Sequence, residues 1–249
     1  MVQLQQKGEI PANSYVLDLD TIEKNAALMV KEGTRLGLKV FPMTKQIGRN
    51  PFAFDVLGNI GLDSYVAVDM GCAGPIYTAG YHIGHIGHLV QIPHAEANVA
   101  DSFEPDYWTV FNLEKAKEAA AANRKIGRKQ DVLARIHAPG DVFYTGHEGG
   151  FEAEKILSVS EKLEAIPNIS FAGVTTFPAL LYSNETKTFD PTPNLSTLER
   201  TAEVMRESGR DDLEINAPGT TSTMTMSKLA NAGATQVEPG HNHGPAAAC

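Results

Sequence analysis

An α/β fold of the (β/α)8 type, a TIM-type barrel in a single domain over residues 1–249, is what this sequence predicts, and three observations carry the prediction. Short β-prone runs alternate with longer segments of helical character, the signature of parallel βα units. After one such run near the N-terminus, eight more follow without interruption, and a length of 249 residues suits one barrel of that kind. No Gly-x-Gly-x-x-Gly follows the first strand, which disfavours an open dinucleotide-binding sheet.

In order, the β-prone runs are Tyr15 to Leu19, Val40 to Met43, Ser64 to Val68, His88 to Ile92, Trp108 to Phe111, Val132 to Ile136, Ser170 to Thr175, Leu213 to Ile215 and Thr235 to Val237. Between them, Thr21 to Leu36, Leu113 to Ile126, Phe151 to Leu163 and Leu195 to Arg206 are rich in Ala, Leu, Glu and Lys with apolar spacing near 3.6. Asp20 or Thr21 is the expected cap of the first helix, with Glu23 in its opening turn. The segment from Phe177 to Asn194 is long and Pro-rich; in a barrel it rises over the C-terminal face as a lid, or is a loop without a role. Beyond the last strand come only Pro239 to Pro245, three alanines and Cys249, so no helix is expected to cover the eighth strand.

The net charge of −9 comes without a basic stripe, which excludes nucleic acid and an anionic membrane surface as expected partners and leaves a small molecule. Cys72 and Cys249 have no spacing that suggests a disulfide framework or a structural zinc site, so a reducing compartment is the default. The segment Met1 to Gly8 has no apolar signal-peptide core, and no stretch approaches the ~18 apolar residues of a membrane span. A cytoplasmic location is the expectation.

In a parallel barrel the strand C-termini converge on one mouth, where Lys45, Asp69, Gln91, His137, Thr176, Phe177, Asn216 and Glu238 are expected. Lys45 ends the run Lys39-Val40-Phe41-Pro42-Met43-Thr44-Lys45, and an amine at the tip of a buried strand is placed to form a Schiff base. Asn216-Ala217-Pro218-Gly219-Thr220-Thr221-Ser222 follows a strand and opens a helical segment; its backbone amides and hydroxyls suit a phosphate, and helix capping explains them equally well. Glu238-Pro239-Gly240 sets a carboxylate before a rigid turn and a glycine that lets a ligand approach. His137 is either an acid/base or a core histidine, with Arg135 a second candidate in its strand. The triplet His82, His85, His88 and the pair His241, His243 have neither an acidic partner in sequence nor a metal-motif spacing, so no metal is expected.

Three of these segments together resemble a known family: Tyr15-Val16-Leu17-Asp18-Leu19-Asp20-Thr21-Ile22-Glu23-Lys24-Asn25, the strand that ends in Lys45, and Val237-Glu238-Pro239-Gly240. The chain, over about residues 13–241, is similar to the N-terminal barrel of the alanine racemase-like, fold-type III pyridoxal-phosphate enzymes. The resemblance implies pyridoxal 5'-phosphate as cofactor, Lys45 as the residue that holds it, and Thr176, Asn216, Gly219, Thr220, Thr221, Ser222, Glu238 and Gly240 as its binding residues. Alanine racemases carry an arginine on the eighth strand facing the pyridine nitrogen; Glu238 stands there instead, as in the basic amino-acid decarboxylases of this fold. A carboxylate keeps that nitrogen protonated and the ring a strong electron sink. Phe177 falls where alanine racemases have a stacking histidine and offers a flat face in its place.

Full-length members of the family carry a C-terminal β domain that supplies a tyrosine or cysteine across a dimer interface, and this chain is expected to lack it or to be truncated. The activity implied is an amino-acid racemase (an isomerase) that abstracts the α-proton of a small amino acid, with Lys45 and His137 as catalytic candidates, Tyr182 as another second acid/base, and a homodimer possible. The alternatives are a decarboxylase or aldolase of the same fold, a non-catalytic cofactor-homeostasis protein, and a barrel that fails to close for want of its last helix.

Overall fold

The computed structural model describes residues 2–240; His241, His243 and Cys249 lie outside the described residues. Its helices are α1 (Val2–Gln6), α2 (Leu19–Leu36), α3 (Pro51–Asn59), α4 (Met70–Thr78), α5 (Ala97–Ser102), α6 (Leu113–Ile126), α7 (Ile156–Glu164), α8 (Pro193–Glu207) and α9 (Met226–Asn231). Its strands are β1 (Lys39–Val40), β2 (Ser64–Ala67), β3 (His82–Ile86), β4 (Tyr107–Val110), β5 (Gln130–His137), β6 (Phe151–Glu152), β7 (Ile169–Thr175), β8 (Leu180–Tyr182), β9 (Phe189–Pro191), β10 (Glu214–Asn216) and β11 (Gln236–Val237).

Eight of these strands pair in parallel in the order β1-β11-β10-β7-β5-β4-β3-β2. A parallel bridge between Met43 and Val66 joins the two ends, so the ring is closed. Beyond β1, Phe41 and Met43 continue the ladder by donating to Val237 O (3.0 Å) and Pro239 O (2.9 Å), which carries Lys45 to the C-terminal rim.

Helices form where apolar residues recur at three- and four-residue spacing, with that stripe turned to the sheet. Ile22, Ala26, Met29 and Gly33 are buried on α2, and Leu195, Leu198, Ala202 and Met205 on α8. The barrel's eighth helix is α2: it packs against β1 and lies between α9 and α3, so the helix sought after the last strand comes before the first one.

Three predicted elements are corrected. The run Tyr15 to Leu19 forms no strand, because a closed barrel has no free edge to receive one; Leu19 opens α2 instead, and Asp18, not Asp20 or Thr21, is the cap, its Oδ1 accepting from Thr21 N at 3.0 Å. The third barrel strand is His82–Ile86, not His88 to Ile92: Gly87 turns the chain out of the strand with φ +72°. The helix expected from Phe151 begins at Ile156, since Phe151 and Glu152 pair beside Ile136 and His137.

The segment after Thr176 is an antiparallel hairpin of β8 and β9, docked on the β10–α9 loop through Ala179 N to Pro218 O (2.8 Å) and Thr220 N to Leu180 O (3.0 Å).

Contacts between non-adjacent strands reveal the barrel interior as stacked layers. At the N-terminal end Tyr107 donates to Glu214 at 2.8 Å, Lys39 donates to Tyr107 at 2.7 Å, and Lys39 and Glu214 are ion-paired. Above them Phe41, Met43, Val66 and Leu133 make an apolar layer, into which Gly84 leaves room: a Cβ there would stand 2.3 Å from the Phe41 ring. Gly173 is required for a different reason, since its Cβ would sit 1.9 Å from Glu214 O on the neighbouring strand. Gly173→Ala is therefore expected to cost about 3 kcal/mol by forcing β7 and β10 apart, read from the urea midpoint of unfolding; an unchanged midpoint would show that the two strands separate freely.

Candidate active site

The layer nearest the C-terminal rim is polar and fully buried. Glu238 follows β11, and its Oε1 accepts from Asn216 Nδ2 of β10 at 2.9 Å and faces His85 Nδ1 of β3 at 2.5 Å. His85 Nε2 lies 2.5 Å from Thr109 Oγ1 of β4, and Asn216 Nδ2 also donates to Thr175 Oγ1 of β7 at 3.1 Å. Five strands thus contribute to one hydrogen-bonded cluster across the barrel. His88, on the loop after β3, places Nε2 3.3 Å from Glu238 Oε2, but off the line of a hydrogen bond. Neither atom has a hydrogen-bond partner among the described residues.

His85, His88 and Glu238 are a group able to hold a metal ion. In this structure His85 Nδ1 and Glu238 Oε1 face each other at 2.5 Å as a hydrogen-bonded pair, closer than the about 3.3 Å between two ligands of a tetrahedral zinc.

Burial alone would raise the Glu238 carboxyl, but the facing His88 and His85 and the hydrogen bonds from His85 and Asn216 outweigh it and bring it below its ordinary value. Burial pushes the His88 imidazole down to about 3, opposed by Glu238 and reinforced by His85, Arg135 and Lys45. Where His88 is neutral its share is lost, and the facing His85 together with the hydrogen bonds from His85 and Asn216 is what opposes burial at Glu238.

Both shifts have the same consequence for stability. As pH falls from about 6.5, the unfolded chain protonates the His88 imidazole while the folded chain leaves it neutral down to about 3, and Glu238 adds its loss below about 4.5. Unfolding free energy is expected to fall by about 1 kcal/mol per pH unit from this histidine between about pH 6 and pH 4. His88→Phe should flatten that slope in urea titrations; an equal slope in both proteins would assign the acid sensitivity elsewhere.

Arg135 of β5 is fully buried, its Nη2 donating to His147 O and Phe177 O, each at 3.2 Å, with the guanidinium 5.2 Å from the Phe111 ring centroid. Burial lowers its pKa to about 10 against the pull of Asp141. Its Nε and Nη1 have no partner among the described residues, nor have Thr176 Oγ1 and Asn216 Oδ1. The Phe177 ring stands edge-on to His88 at 5.7 Å.

Lys45 is exposed on a cavity of about 480 Å³ lined also by Tyr15, Leu17, Asp18, Gln46 and Asn50, and its charge reaches His88. Gly240 belongs to the same rim, a Cβ there falling 3.2 Å from Met43 Sδ and 3.7 Å from Gln46 Oε1. The larger cavity, about 670 Å³, contains His137 with Glu152, Thr197 and Arg200 but no member of the buried polar layer. Convergence of polar groups marks the site better than volume does, and His137 is not brought together with Lys45.

Other expected mouth residues have structural partners. Asp69 caps α4 through Cys72 N (2.8 Å), and Gln91 ties its loop to β4 by donating to Thr109 O (3.1 Å) and accepting from Phe111 N (3.1 Å). Tyr182 lies on the hairpin against Phe189.

The loop Gly219 to Ser222 differs from expectation in one respect. The amide of Thr220 donates to Leu180 O, that of Thr221 to Gly219 O (3.0 Å) and that of Ser222 to Thr225 Oγ1 (2.7 Å), so these three are engaged within the protein. The helix begins only at Met226, as Thr225 bends the loop back on itself.

Sequence reasoning missed His85 and His88 as members of the site. It sought an acidic partner near the triplet, whereas Glu238 lies 153 positions from His85 and arrives only through barrel closure.

A family model described as "Alanine racemase, N-terminal domain" matches residues 17–242. An uncharacterized protein of Escherichia coli (strain K12), YhfX, is 38% identical over 242 residues, covering 96% of this chain and 62% of that protein. The chain thus spans less than two thirds of that curated relative's length. Among solved structures, a D-threonine aldolase from Filomicrobium marinum is similar at TM-score 0.69 with 16% identity, over 94% of this chain and 62% of that one. Lysine decarboxylase from Selenomonas ruminantium is similar at TM-score 0.70 with 15% identity, over 97% and 65%. Identities this low speak for a shared barrel fold.

Proposed function

The chain belongs to the alanine racemase N-terminal domain family, and from that premise we propose that it is a pyridoxal-phosphate-dependent enzyme that inverts the α-carbon of a small amino acid. The observation that carries the reading is the placement, beyond the C-terminal ends of the adjacent strands β1 and β11, of an exposed amine at the rim, Lys45, and a buried carboxylate, Glu238.

The buried groups fit this cofactor. Glu238 Oε2 suits a protonated ring nitrogen, and the N–H groups of Arg135 without partners suit an anionic oxygen of the cofactor or of the substrate carboxylate. Gly219, Thr220, Thr221, Ser222 and Gly240 are assigned to its phosphate, with hydroxyls taking the share that the three engaged amides cannot. Thr176 and Asn216, both buried, are assigned to the ring.

Pyridoxal phosphate supplies an electron sink for the pair left when a bond to the α-carbon breaks. The remaining chemistry belongs to the chain. Lys45 would hold the cofactor's aldehyde carbon and, as a free amine, would move the α-proton; Glu238 would keep the ring nitrogen's proton in place; Arg135 would orient the substrate. Inversion needs a second proton-transfer group. His137 lies in the other cavity, away from Lys45, and His88, neutral down to about pH 3 and set beside Glu238 Oε2, is too weak a base for it, so neither is assigned the role.

Amino acids of either hand, incubated in deuterium oxide with the holoprotein and separated by chiral chromatography, test the reading. Deuterium at the α-carbon of both enantiomers supports racemisation. Exchange without inversion, amine products or aldehyde products would instead support single-face exchange, decarboxylation or retro-aldol cleavage, for which a carboxylate at the ring nitrogen is equally suited.

A further inference from the structure

His85 is fully buried and bridges two groups of opposite demand, Glu238 Oε1 and Thr109 Oγ1, each 2.5 Å from one of its ring nitrogens. A carboxylate only accepts hydrogen bonds, so Nδ1 carries the proton and donates it to Oε1. In the neutral ring Nε2 is then the acceptor, and the hydroxyl of Thr109 donates to it. The tautomer is fixed from both ends. Asn216 Nδ2 donates to the same Oε1 at 2.9 Å. One carboxylate oxygen therefore receives two donors, while the other, Oε2, accepts none among the described residues.

We propose that His85 is a positioning residue for Glu238: with its tautomer fixed by Thr109, it occupies Oε1 and leaves Oε2 as the oxygen that accepts the cofactor's ring N–H. The inference rests on the reading above that Glu238 serves the ring nitrogen. It adds that the protonation of that nitrogen is set two residues away, by the chain Thr109, His85, Glu238. A histidine that merely filled space would need neither a donor nor a matched acceptor at 2.5 Å on both sides of its ring. The apolar layer beneath it shows that the barrel interior also takes side chains with no such demands.

The test uses the intact chain and pyridoxal phosphate labelled with nitrogen-15 in the ring. Equilibrium dialysis gives affinity, and the nitrogen resonance reports whether the ring is protonated. His85→Leu is expected to weaken binding about tenfold or more and to move the resonance from the protonated toward the unprotonated position. His85→Asn, whose amide can still donate to Glu238, should restore the protonated signal. Thr109→Val, an isosteric change that removes only the outer hydroxyl, should shift the signal the same way by less, and it keeps the question open to experiment if His85→Leu does not fold. An unchanged resonance in His85→Leu, or in Thr109→Val where that is the folded variant, would overturn the role of His85 alone. Failure of the unaltered chain to take up pyridoxal phosphate would overturn the cofactor reading and this proposal with it.

Discussion

Lys45→Ala is expected to abolish turnover of amino acids, with a loss of at least about 10²- to 10⁴-fold, the range a single proton-transferring group supplies, and more if the covalent role is also lost. The structure explains why no neighbour should rescue it. Lys39, on the same strand run, is at the opposite end of the barrel and is held there by Glu214 and Tyr107. Lys115 lies on α6, donating to Ile92 O and Glu118. Lys45→Arg separates the two parts of the role: it keeps the positive charge near His88 but offers no amine able to hold an aldehyde carbon. Initial rates of α-deuterium exchange decide the matter. Equal loss in both variants assigns the defect to the amine, whereas substantial activity in Lys45→Arg would reduce Lys45 to an electrostatic role.

The second large effect is expected at Glu238. Glu238→Gln preserves volume and can still accept from Asn216, but it removes the charge that His85 faces across 2.5 Å inside the barrel. The loss of one charged hydrogen-bonded pair in a buried site costs about 2 kcal/mol, and the same substitution leaves the ring nitrogen without an anionic partner. Cofactor affinity should therefore fall about tenfold or more, alongside a lower urea midpoint. Because Glu238 is ionised with a depressed pKa, the stability difference between the two proteins should vanish as pH falls through and below the usual carboxylate range, where the native residue is protonated too. A difference that persists at low pH would mean that shape, not charge, is what Glu238 contributes.

Much of the fold was legible because barrel strands repeat one local pattern. Seven of the eight barrel strands fall where β-prone runs end in turn formers, and Lys45, Asn216 and Glu238 follow from their place at strand ends. The third strand escaped because His82-Ile83-Gly84-His85-Ile86 reads as a weak strand in isolation. Its glycine makes sense only once the Phe41 ring is known to fill the space beside it. Likewise no local signal reveals that α2, first of the barrel helices in sequence, stands last in the ring between α9 and α3. That placement is a property of closure. The buried polar layer was half legible for the same reason: its acceptors end strands, but the donor His85 is matched to Glu238 across the barrel and not along the chain. The amides of Thr220 to Ser222 were misjudged because their partners, Leu180 and Thr225, come from a hairpin and a turn that sequence periodicity does not describe.

The most direct test of the account is to add pyridoxal phosphate to the purified protein, record its absorbance before and after reduction with borohydride, and map the reduced adduct by peptide mass. The expected result is a bound-cofactor band that disappears on reduction and a pyridoxyl group on the peptide that contains Lys45. A protein that gives no such band, or that carries the label on another lysine, contradicts it.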